Sequence, residues 1–302
     1  MSGAIRALVA DELAHAVDPR VAEMATALAA LYPHAARAIF FYGSCLRESR
    51  FDGLMLDFYL IVSDYRDAYG KGWLAHANRL IPPNVFPFAH DGMSAKYAVL
   101  SEADFARLCG ERADNISVWA RFAQPARLVW AADAVARERA IAAVSQAVPT
   151  LLKLALPGVT AQARSDWRAV FEYGFSMTYG AELRAERKGR STSIVDAEPE
   201  RYRAFFEAAV ADADILPALH VDEHALRINR RRWRTLQRRG KWLSVIRLAK
   251  ASFTFAGGID YLAWKINRHA GTQIAITPWQ RRHPLLAACV LVPKLLRRKA
   301  IG

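Results

Sequence analysis

A chain of 302 residues with 53% hydrophobic content can bury a core of one large or two ordinary domains, and global disorder is excluded. Three cysteines, Cys45, Cys109 and Cys289, are too few and too scattered for a disulfide framework or a CxxC zinc site, which points to a reducing compartment. The net charge of +13 is uneven: residues 227–302 hold 13 Arg and 5 Lys against one acid, Asp260, while the first 226 carry 24 bases and 28 acids. A basic block of that kind implies an anionic partner, either nucleic acid or a membrane surface.

In chain order, the pattern predicts helices over Ala4–Ala16 and Arg20–Leu31, the second stopped by Pro33. Asp11, Glu12 and Asp18 in this region argue against a signal or transit peptide. Ala38–Tyr42 reads as a buried strand closed by Gly43-Ser44, and Met55–Val62 as a second strand with Asp57 near its start. Pro82, Pro83 and Pro87 mark an extended loop. A third strand covers Lys96–Leu100, and Ser101 caps the helix that follows. A helix over Ile116–Phe122 and a strand over Ala126–Trp130 come next, then amphipathic helices at Ala134–Ala147, Ala161–Arg187 and Arg201–Ala211. Lys188–Glu200 is the least globular segment. The fold class expected is α+β, in three parts: residues 1–135 as a small mixed sheet flanked by helices, 136–250 as a mainly helical, winged-helix-like region, and 251–302 as a basic amphipathic tail.

A strand that ends in Gly-Ser exposes backbone N–H groups and a hydroxyl to a phosphate, because glycine lets the backbone approach closely. An acid on the neighbouring strand then holds Mg²⁺ against the same triphosphate, the arrangement of polymerase-β-like nucleotidyltransferases. Asp57 stands inside the apolar run LMLDFYLIV, where a charge is costly unless it is paired or metal-bound. It is the candidate principal metal ligand, the alternative being a strand-end aspartate that caps a helix or pairs with an arginine. A second carboxylate usually stands two residues further on, but that position is Tyr59. The second ligand is therefore sought at Asp52 or Asp64, ahead of Asp91. No histidine stands in an obvious nucleophile–base pair, and His34, His90 and His220 read as surface or capping residues.

The segments FYGSC, MLDFYLIVSD, AKYAVLS, WARFAQPARLVW and MTYGAELRAE with Ser193-Ile194-Val195, in that order over roughly residues 38–210, resemble the mitochondrial-type phosphatidate cytidylyltransferases. These enzymes make CDP-diacylglycerol and pyrophosphate from CTP and phosphatidate. The resemblance implies that Gly43 and Ser44 hold the CTP phosphates, Asp57 ligates Mg²⁺ and Lys96 neutralises the triphosphate. It further implies Arg121, Glu182 and Arg184 in or beside the site. Cys45, Ala98 and Glu182 depart from the family's residues at their positions, and His76 and Asn78 are the nearest match to its histidine-asparagine segment.

In the basic block, Trp233, Leu236, Leu243 and Ile246 share one helical face beneath an arginine-rich one. The apolar run Leu285–Val292 has eight residues against the roughly 20 that a membrane span needs. Flanked by Arg281-Arg282 and Arg297-Arg298-Lys299, with Trp264 and Trp279 nearby, it suits an interfacial element on anionic phospholipid. The partners expected are CTP and phosphatidate at a membrane surface, with nucleic acid not favoured. The location expected is peripheral, on the cytoplasmic face of a bacterial inner membrane. The competing readings are a nucleotidyltransferase on another acceptor and a non-catalytic nucleic-acid-binding protein.

Overall fold

The computed structural model describes residues 3–47, 51, 53–179, 190–213, 215–219, 221–254, 277 and 279. Two helices open the chain, α1 (Gly3–Ala14) and α2 (Pro19–Ala30). Asp18 caps α2 by accepting from the Arg20 amide, and Pro19 supplies the fixed φ of a first helical position. Then come β1 (Ala36–Tyr42), β2 (Met55–Val62), α3 (Tyr65–Tyr69), α4 (Trp73–Leu80), β3 (Asn84–His90), β4 (Met93–Ser101), α5 (Glu102–Cys109), α6 (Trp119–Phe122) and β5 (Ala126–Ala131). The remainder is helical: α7 (Ala134–Val144), α8 (Ala147–Ala155), α9 (Trp167–Tyr179), α10 (Arg190–Ala197), α11 (Pro199–Val210) and the long α12 (Glu223–Thr254).

The five strands form one mixed sheet, ordered β3-β4-β2-β1-β5. β2 and β4 run parallel; the other three pairings are antiparallel. The protein is thus α+β, with helices on both faces of the sheet. That explains why β1 and β2 read as near-continuous apolar runs instead of alternating ones. Ile39, Phe41, Phe58, Leu60 and Val99 face α2, α3 and α4. Phe40, Tyr59, Ala98 and Leu100 face the other way, into a cluster that reaches Leu13, Phe105, Phe122, Leu151, Phe171, Tyr202 and Trp233. This second core runs without a break across residue 135. Among the described residues no strand follows Ala131, so the wing of a winged helix has no counterpart there.

Three expectations are corrected. The Pro82–Pro87 region is a loop only up to Pro83; Asn84–His90 is a strand, and Pro87 is tolerated because β3 is the sheet's edge. Its hairpin to β4 turns at Asp91-Gly92, both at positive φ, which an Asp-Gly pair favours. Within Lys188–Glu200, α10 seats Ile194 and Val195 in the core. On α12, Trp233 and Leu236 are buried, but Ile246 is 39% exposed. The packed face rotates instead through Asn229, Trp233, Gly240 and Arg247, at spacings near the 3.6-residue helical period. Asn229 Nδ2 and Trp233 Nε1 both donate to the Leu154 carbonyl, at 3.1 and 2.9 Å.

Ala134–Gly158 is long and apolar enough to cross a membrane, yet 78% of its most apolar window is buried, and it breaks at Ser145-Gln146 into α7 and α8. A buried ion pair, Glu12–Arg201, ties α1 to α11. Arg201 Nη2 donates to Glu12 Oε1 at 3.1 Å and Nη1 to the Ala123 carbonyl at 3.0 Å, while Glu12 Oε1 also accepts from the Ala126 amide at 3.4 Å. Arg201 further stacks over Tyr202 and Phe205, so its charge is satisfied on every side.

Candidate functional site

The sheet brings Gly43, Asp57 and Lys96 together at one end, on three adjacent strands. β1 ends at Tyr42, which pairs with Asp57 on β2, and Asp57 pairs in turn with Lys96 on β4. Because side chains alternate along a strand, Asp57 shares a face with Tyr59 and Ile61, and Lys96 with Ala98 and Leu100. Both stand on the face that packs toward Phe122 and the later helices, and both side chains stay partly exposed. Lys96 Nζ lies 3.0 Å from Asp57 Oδ1, with the side chains 33% and 21% exposed.

The turn after β1 is built around Asp57. Gly43 has φ +93°, a conformation that L side chains rarely adopt, and a Cβ placed on it would lie 3.3 Å from Asp57 Oδ2. Glycine is needed there for the backbone angle and for the closeness of the carboxylate. Ser44 is exposed and begins a short 3-10 turn, Ser44–Arg47. Cys45, buried beneath it, directs its thiol at the Met55 carbonyl, at 3.8 Å. The arrangement offers a carboxylate and an ammonium side by side, next to an exposed turn.

Tyr59 belongs to the wall of this site. It is 3% exposed and packs its ring 5.1 Å from Tyr42 and 5.3 Å from Phe122. Through Phe122, α6 closes over the sheet beside the Asp57–Lys96 pair. Arg121, next in sequence, donates to the Ser117 carbonyl one turn back. Ser117 also receives Arg247 of α12, whose Nη1 donates to its hydroxyl at 3.0 Å. Arg247 Nε reaches the Pro82 carbonyl at 2.9 Å, and Lys250 Nζ donates to the carbonyls of Pro83, at 2.9 Å, and Ile81. Burial, assisted by the neighbouring Arg247 charge, pushes the Lys250 ammonium down to about 7. Sequence reasoning assigned this helix to a lipid surface and missed that its last turns clamp the Ile81–Pro83 segment. Only the i, i+3 spacing of Arg247 and Lys250 hinted at a shared inner face.

The other site candidates fall elsewhere. Asp64 lies past the far end of β2, seven residues and about 23 Å along the strand from Asp57. There it caps α3 by accepting from the Arg66 amide at 2.8 Å and meets Arg79 at 3.4 Å. It is therefore not brought to Asp57. Asp91 is the hairpin-turn residue between β3 and β4. Asn78 holds α4 to the opposite face of the sheet: Nδ2 donates to the Val99 carbonyl at 3.0 Å and Oδ1 accepts from the Asn84 amide. His76 points its Nδ1 at the carbonyl of Gly72, 3.4 Å away at the N-cap of its own helix. Asp52, Glu182 and Arg184 lie outside the described residues, as do Trp264 and the run Leu285–Val292. Among the described residues no three His, Cys, Asp or Glu side chains converge as a metal cage. Mg²⁺ does not need one where a substrate brings phosphate oxygens, since one or two carboxylates then suffice. Asp57 fits that use.

Comparison with protein-family models finds no match, and comparison with curated proteins finds none either.

Proposed function

We propose that the protein is a Mg²⁺-dependent nucleotidyltransferase of the phosphatidate cytidylyltransferase type, converting CTP and phosphatidate to CDP-diacylglycerol and pyrophosphate. The observation that carries this reading is the Asp57–Lys96 pair on adjacent strands, with Asp57 Oδ2 against the positive-φ glycine that ends β1. That is the geometry a triphosphate site requires: a turn for the phosphates, an oxygen donor for the cation and an ammonium for the remaining charge.

In this reading, an ionised phosphate oxygen of phosphatidate attacks the α-phosphorus of CTP. The bond to the bridging oxygen breaks, and pyrophosphate leaves. Because the nucleophile is already an anion at neutral pH, no general base is required, which suits a sequence in which no histidine stands in an obvious nucleophile–base pair. Bound Mg²⁺ supplies charge neutralisation for the leaving pyrophosphate. The Gly43-Ser44 turn orients the phosphates, Lys96 offsets their charge, and the aromatic wall of Tyr42, Tyr59 and Phe122 excludes water from one side.

The acceptor is assigned as a lipid on the outer face of α12. Arg230, Arg231, Arg234, Arg238 and Lys241 are exposed there, beside Trp242 at 70% and Ile246 at 39% exposure. Bases near an anionic bilayer contribute about 1 kcal/mol each, and tryptophan favours the headgroup depth. On the described part of α12, the aliphatic Ile246 and one exposed tryptophan, Trp242, do not make a base-stacking platform, so a lipid surface is preferred to nucleic acid. The test is pyrophosphate release from CTP and Mg²⁺, with phosphatidate vesicles, with phosphatidylcholine vesicles and with tRNA. Release only with phosphatidate supports the reading. Release with tRNA alone reassigns the acceptor, and absence of release with all three removes the enzymatic reading.

A further inference from the structure

The two oxygens of Asp57 have different neighbours. Oδ1 is paired with Lys96 Nζ at 3.0 Å, and Oδ2 faces the Gly43 turn. Among the described residues Asp57 belongs to no group of three or more metal-ligating side chains, and Asp64 and Asp91 lie elsewhere in the fold. A free Mg²⁺ ion dehydrates reluctantly and takes near-octahedral oxygen ligands. At Asp57 it would meet a single carboxylate already neutralised by an ammonium. To bind, it would have to push Lys96 aside and then remain a dication next to a displaced cation, an unfavourable exchange at short range. A nucleoside triphosphate removes both obstacles, because its oxygens complete the metal's shell and give Lys96 a new anionic partner.

We infer that Lys96 gates Asp57: the divalent cation enters only as its nucleoside triphosphate complex, and Lys96 passes from the carboxylate to a phosphate as it arrives. The step exchanges ionic partners; no covalent bond forms or breaks. It rests on the reading of this end of the sheet as a triphosphate site. It also gives the Lys96–Asp57 register a purpose that charge balance alone does not. An empty site whose carboxylate is held by its own lysine stays closed to the free divalent cations that surround it.

The test uses Mn²⁺ as the probe, counted by the electron paramagnetic resonance signal of the free ion, on the full chain. Wild type and Asp57→Asn are expected to bind Mn²⁺ alone equally weakly. Addition of CTP should raise the Mn²⁺ affinity of wild type at least tenfold and leave that of Asp57→Asn unchanged. Lys96→Met should take up Mn²⁺ without nucleotide at least tenfold more tightly than wild type, and the Asp57→Asn/Lys96→Met double variant should lose that gain. Lys96→Gln, which keeps a polar side chain at the strand, serves as the second variant if the first fails to fold. Asp57-dependent binding of free Mn²⁺ by wild type overturns the gate. So does free-Mn²⁺ affinity equal to wild type in both lysine variants. If CTP adds nothing to wild type, the triphosphate reading fails; the lysine variants, measured without nucleotide, still report the gate separately.

Discussion

Two ion pairs divide the labour of this molecule. Glu12–Arg201 joins residues 189 positions apart, with both side chains 9% exposed and every carboxylate oxygen and guanidinium nitrogen engaged. Asp57–Lys96 joins adjacent strands through one contact at 3.0 Å and stays partly open to solvent. A buried pair is costly to assemble and costlier to break, because removal of one partner strands a charge in a low dielectric. A partly exposed pair contributes little to stability, in the range of 0–1 kcal/mol, and its partners are free to exchange. The first arrangement suits architecture and the second suits binding.

Breaking the first pair has the largest expected effect. Arg201→Met leaves the Glu12 carboxylate buried and should cost about 3–5 kcal/mol in urea unfolding. Combined with Glu12→Gln it should recover part of that loss. A cost below about 1 kcal/mol for Arg201→Met would contradict the account.

Lys250 comes next, as a part-buried cation held by carbonyls instead of a carboxylate. Its folded pKa is depressed to about 7, so between that value and the ordinary lysine range the unfolded chain binds more protons than the folded one. Unfolding free energy should therefore rise as pH is raised from about 7 toward 10, by at most about 1.4 kcal/mol per pH unit. Lys250→Met should abolish this slope; an unaltered slope would show that another group causes it.

Gly43→Ala sharpens the contrast at the site. Its φ of +93° and the 3.3 Å approach to Asp57 should cost about 1–2 kcal/mol and weaken nucleotide binding together. The smallest effect on stability belongs to Asp57→Asn, below about 1 kcal/mol. Equal destabilisation by Asp57→Asn and Arg201→Met in chemical unfolding would erase the distinction between the two pairs.

Elements carried by local pattern were legible in the sequence. Met55–Val62 was readable from its apolar run, and Ser101 was readable as a cap, its hydroxyl accepting from the Asp104 amide at 3.2 Å. The Gly43, Asp57 and Lys96 grouping was legible as an order of motifs, and strand pairing turns that order into proximity. Edge strand β3 was hidden because its prolines mimic a loop, and only tertiary position distinguishes an edge from a break. Asp64 looked like a second ligand because it follows the same strand, but a strand's length separates its ends. The Glu12–Arg201 pair and the Arg247–Ser117 bond left no local signature, since each joins segments more than a hundred residues apart.

The most direct measurement compares Asp57→Asn with wild type for CTP-dependent pyrophosphate release on phosphatidate vesicles, alongside the urea midpoint of each. The account predicts that turnover falls at least about a hundredfold while the midpoint holds. Turnover retained by Asp57→Asn would contradict it.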